Sequence, residues 1–127
     1  MRTSVTTTDA PAAIGPYSQA IRTEQTLWVS GQLGLNPSTG EMAGNDVRQQ
    51  AEQAMQNLDA ICREAGTTLA RALRCTIYLV DMGDFAQVNE VYQTWFEEPW
   101  PARACVQVAR LPKDGLVEID AVVAMRE

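Results

Sequence analysis

Hydrophobic residues recur along this chain with two different periods, and each period predicts a different kind of secondary structure. Between Val47 and Ala65 they recur every three or four residues, which places them on one face of a helix. Asn45 or Asp46 can cap the start of this helix, and Gly66 is the residue type that often ends a helix in the left-handed conformation. The pattern therefore predicts one long helix with a buried face.

A second helix is predicted from about Asp84 to Phe96, where apolar residues again recur at helical spacing. Its predicted apolar face consists of Phe85, Val88, Val91, Tyr92, Trp95 and Phe96. Asp84 is a candidate N-cap for it. Pro99 and Pro101 prevent the helix from continuing, because proline lacks the backbone N–H that a helix needs.

Elsewhere apolar and polar residues alternate with period two, which predicts β-strands. The candidate strands are Thr3–Thr7, Ser18–Thr23, Leu27–Leu35, Ala72–Val80, Ala102–Val108 and Val117–Ala124. The predicted order is β-β-β-α-β-α-β-β. Because the later strands are joined through helices, this order favours an α+β fold with a mixed six-stranded sheet and both helices on one face. No linker or repeat interrupts it, so residues 1–127 are expected to form a single domain.

The alternation also assigns side chains to the two faces of the predicted sheet, if the more apolar face lies under the helices. In the fifth strand this places Ala104, Val106 and Val108 under the helices, and on the opposite face Arg103, Cys105 and Gln107. In the sixth strand it places Val117, Ile119, Ala121 and Val123 under the helices, and on the opposite face Glu118 and Asp120. In the third strand it groups Trp28 with Ser30 and Gln32, and Leu27 with Val29 and Leu33. Arg103 and Glu118 are thus expected to share the helix-free face.

Two helices cannot cover both sides of such a sheet. The helix-free face mixes apolar with polar side chains, so we expect it to meet another subunit. The sequence therefore predicts a homo-oligomer with sites near the interfaces between subunits.

Composition and charge narrow the class of protein. The chain has 127 residues, of which 46% are hydrophobic and 20% charged, as in an ordinary globular domain. The net charge of -6 and the scattered basic residues disfavour nucleic acid as a partner, because phosphate binding needs clustered Lys and Arg. The N-terminus lacks the apolar run of a signal peptide, and no segment is long enough to span a bilayer. A cytoplasmic protein without membrane contact is expected.

The chain contains no histidine and three widely spaced cysteines. The usual zinc sites and the Ser-His and Cys-His pairs therefore cannot be built, and we expect neither a metal nor a cofactor. Cys62 and Cys75 fall on apolar faces and are interpreted as small hydrophobic residues. Any chemistry must use carboxylates, Arg, Tyr, hydroxyls, a thiol or backbone groups.

Arg103 and Glu118 are the leading candidates for that chemistry. An arginine can bind a carboxylate through two parallel hydrogen bonds, and a glutamate nearby can hold or activate a water. A structural ion pair of Arg103 with Glu118, Asp120 or a neighbouring chain explains the same residues equally well. Cys105 is either a thiolate activated by Arg103 or, more simply, an inert thiol that contributes shape and backbone contacts.

Other residues have a functional and a structural interpretation. Tyr17 follows a Gly-Pro turn and either contacts a ligand or packs with its hydroxyl in solvent. Ser30 and Gly31 place small residues within a strand, which allows a ligand to approach or only bends the sheet. Asn89 either lines a site or is solvated, and Trp100 either walls a pocket or seals the end of the sheet.

Several motifs together resemble one family. They are Ala12-Ala13-Ile14-Gly15-Pro16-Tyr17-Ser18-Gln19-Ala20, Val29-Ser30-Gly31-Gln32, Val88-Asn89-Glu90-Val91-Tyr92, Pro101-Ala102-Arg103-Ala104-Cys105-Val106 and Val117-Glu118-Ile119-Asp120-Ala121. In this order and over essentially the whole length, they resemble the Rid (YjgF-type) reactive-intermediate deaminases of the archetypal subgroup.

The resemblance implies a fold like that of the trimeric chorismate mutases, with three subunits around a central barrel and sites in the clefts between them. It also implies hydrolysis of 2-imino and 2-enamino acids, such as 2-iminobutanoate and 2-iminopropanoate, to 2-oxo acids and ammonia. By position, Arg103 would hold the substrate carboxylate and Glu118 would orient the attacking water. The other residues implied at the site are Tyr17, Ser30, Gly31, Asn89 and, through its backbone, Cys105.

The chain departs from the family at two positions and in one loop. Ala104 stands where many members have Ser, and Trp100 stands where Phe is usual. The 97–100 segment is also shorter than expected. The sequence therefore does not determine which substrate side chain the pocket accepts. A second function also agrees with the sequence, namely a non-catalytic module that binds a 2-oxo or amino acid at the same cleft. A ribonuclease role, ascribed to some relatives, agrees least with the net charge and the absence of histidine.

Overall fold

The six strands form a mixed sheet close to the predicted one. In the computed structural model, which describes residues 1–126, they are β1 (Thr3–Val5), β2 (Ala20–Arg22), β3 (Thr26–Leu33), β4 (Ala72–Leu79), β5 (Ala102–Gln107) and β6 (Val117–Ala124). Their order across the sheet is β1-β2-β3-β6-β4-β5, with β4 and β5 parallel and the other neighbours antiparallel. The predicted fold class is confirmed. Glu127, the last residue of the predicted domain, lies outside the described residues.

The long helix, α1 (Val47–Ala65), has the bounds that the hydrophobic pattern predicts. Asp46 is its N-cap, and its side chain accepts a hydrogen bond from the Gln49 amide. Gly66 ends the helix with a φ of 97°, a left-handed conformation that glycine adopts without steric cost.

The second helix, α2 (Phe85–Gln93), is shorter than predicted. Asp84 occupies its N-cap position but makes no side-chain cap hydrogen bond. The amides of Thr94 and Trp95 bond to carbonyls three residues back, so the last turn tightens and the helix ends before Phe96.

The core lies between α1 and one face of the sheet. The residues of β6 that point toward α1 are fully buried, namely Val117, Ile119, Ala121 and Val123. Their neighbours on β4 that share this face are Cys75, Ile77 and Leu79. The predicted faces of β6 and the buried position of Cys75 are therefore confirmed.

The face assigned to β5 is wrong. β5 pairs in parallel with β4, and Arg103, Cys105 and Gln107 lie beside the core residues Cys75, Ile77 and Leu79. Arg103 therefore points to the helix side, whereas Ala104 and Val106 point to the helix-free side. Hydrophobic alternation predicts the wrong face here because β5 is an edge strand with no buried residue. Its apolar side chains lie on the helix-free face and not in the core.

The faces assigned to the end of β3 are also wrong. An extra residue between Val29 and Gln32 shifts the register with β6, so that Gln32 pairs with Ile119 and Leu33 with Glu118. A bulge of this kind moves every later side chain to the opposite face. Gln32 is thus buried on the core side, and Leu33 lies beside Glu118.

Among residues 1–126, no helix has the length and apolar character that crossing a membrane requires.

Candidate active site

Glu118 lies on the helix-free face, in a cleft of about 530 Å³ beside the β3 bulge. The cleft brings together predicted site residues from three parts of the chain, namely Tyr17, Ser30, Gly31 and Glu118. We call these residues the Glu118 half-site. Its other walls are mostly apolar, contributed by residues such as Ile14, Leu33 and Leu35.

Gly31 makes room for the Glu118 carboxylate. A Cβ atom at position 31 would lie 2.4 Å from Glu118 Oε2 and 2.9 Å from its Cδ, far inside van der Waals contact. Any other residue at this position would displace the carboxylate. Glycine is therefore needed at this position because the bulge brings the backbone of residue 31 close to the Glu118 carboxylate.

The Glu118 carboxylate has properties suited to a base. Burial, and secondly the charge of Asp120, raise its pKa above the ordinary value of 4.5. Among the described residues it has no hydrogen-bond donor, so its oxygens remain available to a water or substrate. A carboxylate with a raised pKa is a better proton acceptor than an ordinary surface carboxylate.

The loop that carries Tyr17 is held in place by hydrogen bonds of the Gln19 and Ser30 side chains. The buried side chain of Gln19 accepts from the Thr7 amide at 2.7 Å and donates to the Pro11 carbonyl at 2.8 Å. The hydroxyl of Ser30 donates to the Ser18 carbonyl at 2.6 Å, which ties this loop to the bulge. Tyr17 itself is 53% exposed and projects at the mouth of the cleft.

Arg103 belongs to a second cleft, of about 380 Å³, at the start of the edge strand β5. Its Nη1 donates to Asn89 Oδ1 at 2.6 Å. Trp100, which is 51% exposed, and Pro101 form the apolar walls of the same cleft. We call Asn89, Trp100 and Arg103 the Arg103 half-site.

Arg103 keeps its charge free for a ligand. No described carboxylate lies within salt-bridge distance of its guanidinium. Asp120, one of the proposed alternative partners, instead accepts from the Tyr78 hydroxyl at 3.0 Å and from the Thr76 amide at 3.2 Å. A structural ion pair within the chain is therefore excluded for residues 1–126.

The two half-sites of one chain cannot meet. Arg103 is level with Cys75 on β4, and Glu118 is level with Tyr78, three residues further along. Two interstrand spacings and three residues of strand separate their Cα atoms by about 10 Å in each direction, and their side chains leave opposite faces. The expectation that they share a face is thus wrong.

The cysteines are not activated as nucleophiles. Burial raises the pKa of the Cys105 thiol, and the opposing charge of Arg103 has the smaller effect. Burial likewise raises the pKa of Cys75 to about 11 and that of Cys62 to about 12. These directions favour the inert interpretation of Cys105.

Two contacts of Arg103 do not follow from the sequence pattern. The Phe85 and Tyr92 rings lie under its guanidinium, whereas helical spacing predicts for both only a place on the apolar face of the second helix. The spacing of Phe85, Asn89 and Tyr92 on one helix face was the available signal. This spacing predicts a contact with Arg103 only if the arginine points to the helix side of the sheet, which depends on the strand pairing.

The motifs and the fold agree with known proteins. The family profile described as Endoribonuclease L-PSP matches residues 7–125. The RutC family protein y4sK of Sinorhizobium fredii is 50% identical over 121 residues, covering 95% of this chain and 96% of that protein. The 2-iminobutanoate/2-iminopropanoate deaminase of Mus musculus is 47% identical over 122 residues, covering 96% and 90%.

The crystal structure of E. coli TdcF with bound serine superposes with a TM-score of 0.92 at 41% identity, covering 98% of this chain and 99% of that one. The resemblance inferred from the motifs is therefore confirmed over nearly the whole chain. The chain belongs to the Rid (YjgF-type) family, whose profile carries the description Endoribonuclease L-PSP.

Proposed function

We propose that the protein is a hydrolytic deaminase that converts 2-imino and 2-enamino acids, such as 2-iminobutanoate and 2-iminopropanoate, to 2-oxo acids and ammonia. The observation that carries this proposal is the unpaired state of two opposite charges. Arg103 has no carboxylate partner and Glu118 has no hydrogen-bond donor among residues 1–126. The name of the mouse relative supports the same reaction.

The proposed chemistry needs little from the protein. Arg103 binds the C1 carboxylate of the substrate, and C2 of the protonated imine is already electrophilic. Water held by Glu118 adds to C2 and gives its proton to the carboxylate, which passes it to the amine. As the C2–N bond breaks, the C2 hydroxyl gives its proton to Glu118, C2 becomes a carbonyl, and the departing ammonia takes up that proton as ammonium. A general base of this kind contributes roughly 10²–10⁴-fold.

The site is proposed to form between subunits of a homotrimer. Because the half-sites of one chain lie on opposite faces of the sheet, one substrate can reach both kinds only if they come from neighbouring chains. Trp28 and Val106, both on the helix-free face, are 54% and 43% exposed, which supports coverage of that face by another subunit. We propose that the Arg103 half-site of one subunit faces the Glu118 half-site of the next.

The second candidate is a non-catalytic module that binds a small amino or 2-oxo acid in the same cleft. The bound serine in the E. coli TdcF structure favours it, because serine is an amino acid and not an imine. Glu118 favours the enzyme, since a site that only binds a carboxylate gains nothing from a second anion nearby.

One assay separates the two. Threonine and a pyridoxal-phosphate-dependent dehydratase generate 2-iminobutanoate, with semicarbazide present to trap imine that the protein does not hydrolyse. A deaminase lowers semicarbazone formation and speeds the appearance of 2-oxobutanoate, and Glu118→Gln abolishes the effect. If the wild-type protein binds 2-oxobutanoate but leaves both rates unchanged, the deaminase is rejected in favour of the binding module.

A further inference from the structure

One face of α2 sets the position of Arg103. The Cζ atom of Arg103 lies 5.3 Å from the centroid of the Phe85 ring and 5.0 Å from that of the Tyr92 ring. Between these two contacts, Asn89 accepts the hydrogen bond from Nη1. Phe85, Asn89 and Tyr92 are spaced by four and three residues, so they share one helix face. We call these three residues the α2 cradle.

The α2 cradle holds a cation without neutralising it. None of its three residues carries a formal charge. The ring faces attract the guanidinium through their quadrupoles, and the amide oxygen of Asn89 accepts a hydrogen bond. A carboxylate in the cradle would hold Arg103 more tightly, but it would also compete with an anionic ligand. The cradle therefore fixes the guanidinium and leaves its charge for that ligand.

The cradle has one fixed wall and one open wall. Tyr92 is only 4% exposed, and its ring packs on Phe96 with the centroids 4.9 Å apart, so the core determines its orientation. Its hydroxyl is also buried, where it interacts with the Cys75 thiol, and Arg103 contacts the face of the ring. Phe85 is 36% exposed and can be replaced with little disturbance of the core.

We propose that Phe85 and Tyr92 are positioning residues that hold Arg103 in its ligand-binding conformation before the substrate arrives. This rests on the proposed function, in which Arg103 binds the substrate carboxylate. A free arginine side chain loses rotamer freedom when it binds a ligand, and a cradle that orders it beforehand removes that cost. The bound carboxylate itself orders the guanidinium, so loss of the cradle weakens binding more than it slows the chemical step.

Phe85→Leu tests the proposal, because leucine keeps an apolar side chain and removes the ring face. The expected result is a two- to fivefold rise in KM and in the Kd for 2-oxobutanoate, with a smaller change in kcat. This corresponds to the 0.5–1 kcal/mol of an exposed cation–π contact at 1.4 kcal/mol per tenfold. Phe85→Tyr is the matched variant, because it restores a ring face and should restore most of the affinity.

A second measurement is independent of the reaction. The ¹⁵N relaxation of Arg103 Nε reports how rigidly the side chain is held in the unliganded protein. Its order parameter should fall in Phe85→Leu and stay near the wild-type value in Phe85→Tyr. An unchanged order parameter in Phe85→Leu, or equal Kd values for the two variants, overturns the proposal.

Failure of the proposed function gives a different result. In that case the wild-type protein itself neither hydrolyses the imine nor binds 2-oxobutanoate, whatever residue stands at position 85. The relaxation measurement then still decides whether the Phe85 ring holds Arg103.

Discussion

Mixing two impaired variants should restore part of the activity, because the structure separates Arg103 and Glu118 within each chain. In the proposed reaction, Arg103→Ala removes the cation that binds the substrate carboxylate, and Glu118→Gln removes the base. The two Cα atoms are about 10 Å apart both across and along the sheet, and the side chains point to opposite faces. Each variant chain therefore still carries one intact half-site.

The expected recovery of activity equals the fraction of intersubunit sites that receive both Arg103 and Glu118. In a randomly mixed ring, a working site needs a Glu118→Gln chain to supply Arg103 and, next to it, an Arg103→Ala chain to supply Glu118. Each condition is met half the time, so about one quarter of the sites should work. Losing a charge-assisted pair costs about 1.5–3 kcal/mol, so the Arg103→Ala parent should retain about 1–10% of wild-type activity.

The assay uses differently tagged variants. They are unfolded together and refolded, and mixed oligomers are purified through both tags in succession before imine hydrolysis is measured. Selection for both tags excludes pure oligomers, and because every mixed trimer has one working site among its three, it raises the expected fraction of working sites to about one third. Each variant refolded alone is the control, and sedimentation checks that both still form oligomers.

If the mixture is only as active as the mean of the two parents, a site shared between neighbouring subunits is contradicted. Arg103 and Glu118 would then have to act within the same chain, or one of them would be dispensable. Loss of the oligomer in Arg103→Ala would instead assign Arg103 to the subunit contact.

Three other substitutions test single features of the site. Gly31→Ala should lower kcat/KM by about 100-fold, because the new Cβ displaces the Glu118 carboxylate and a misplacement of about 1 Å can reduce the rate by this factor. Circular dichroism should show that the fold is retained. A decrease of less than threefold contradicts the role of this contact. When Arg103→Ala has removed the cation proposed to face Glu118, adding Glu118→Gln should raise the melting temperature at pH 7, and the gain should disappear below about pH 4, where the carboxyl is protonated in both the folded and the unfolded state. The melting temperature is expected to rise because folding raises the pKa of the carboxyl, so its ionisation destabilises the folded state as the pH increases. A lower melting temperature for the variant at pH 7 would show that contacts in the folded state stabilise the carboxylate instead. Cys105→Ala should lower kcat less than tenfold, because burial raises the pKa of the thiol and leaves little thiolate at neutral pH; a loss of 10³-fold or more would restore Cys105 as a nucleophile.

Local features of the fold could be predicted from sequence because they depend on neighbouring residues. The bounds of α1, its cap at Asp46 and its end at Gly66 follow from helical periodicity and local hydrogen bonding. The element order and the faces of β6 follow from the same kind of pattern, since β6 lies in the middle of the sheet with its helix side fully buried.

The failures occurred where the pattern depends on what lies opposite. At β5 the apolar positions predict a core face, but this strand is at the edge of the sheet and its helix side carries Arg103 against α2. At β3 the bulge reverses the alternation, and an extra residue of this kind shows only in the pairing with β6.

The fold class, the family and the residues able to do chemistry can be inferred from the chain alone, because residue type and local spacing carry each of them. The placement of Arg103 and Glu118 in two half-sites on opposite faces, and the contact of Arg103 with the Phe85 and Tyr92 rings, depend on the three-dimensional arrangement. Strand order and register bring distant segments together, and a shift of one residue in register turns a side chain from one face to the other.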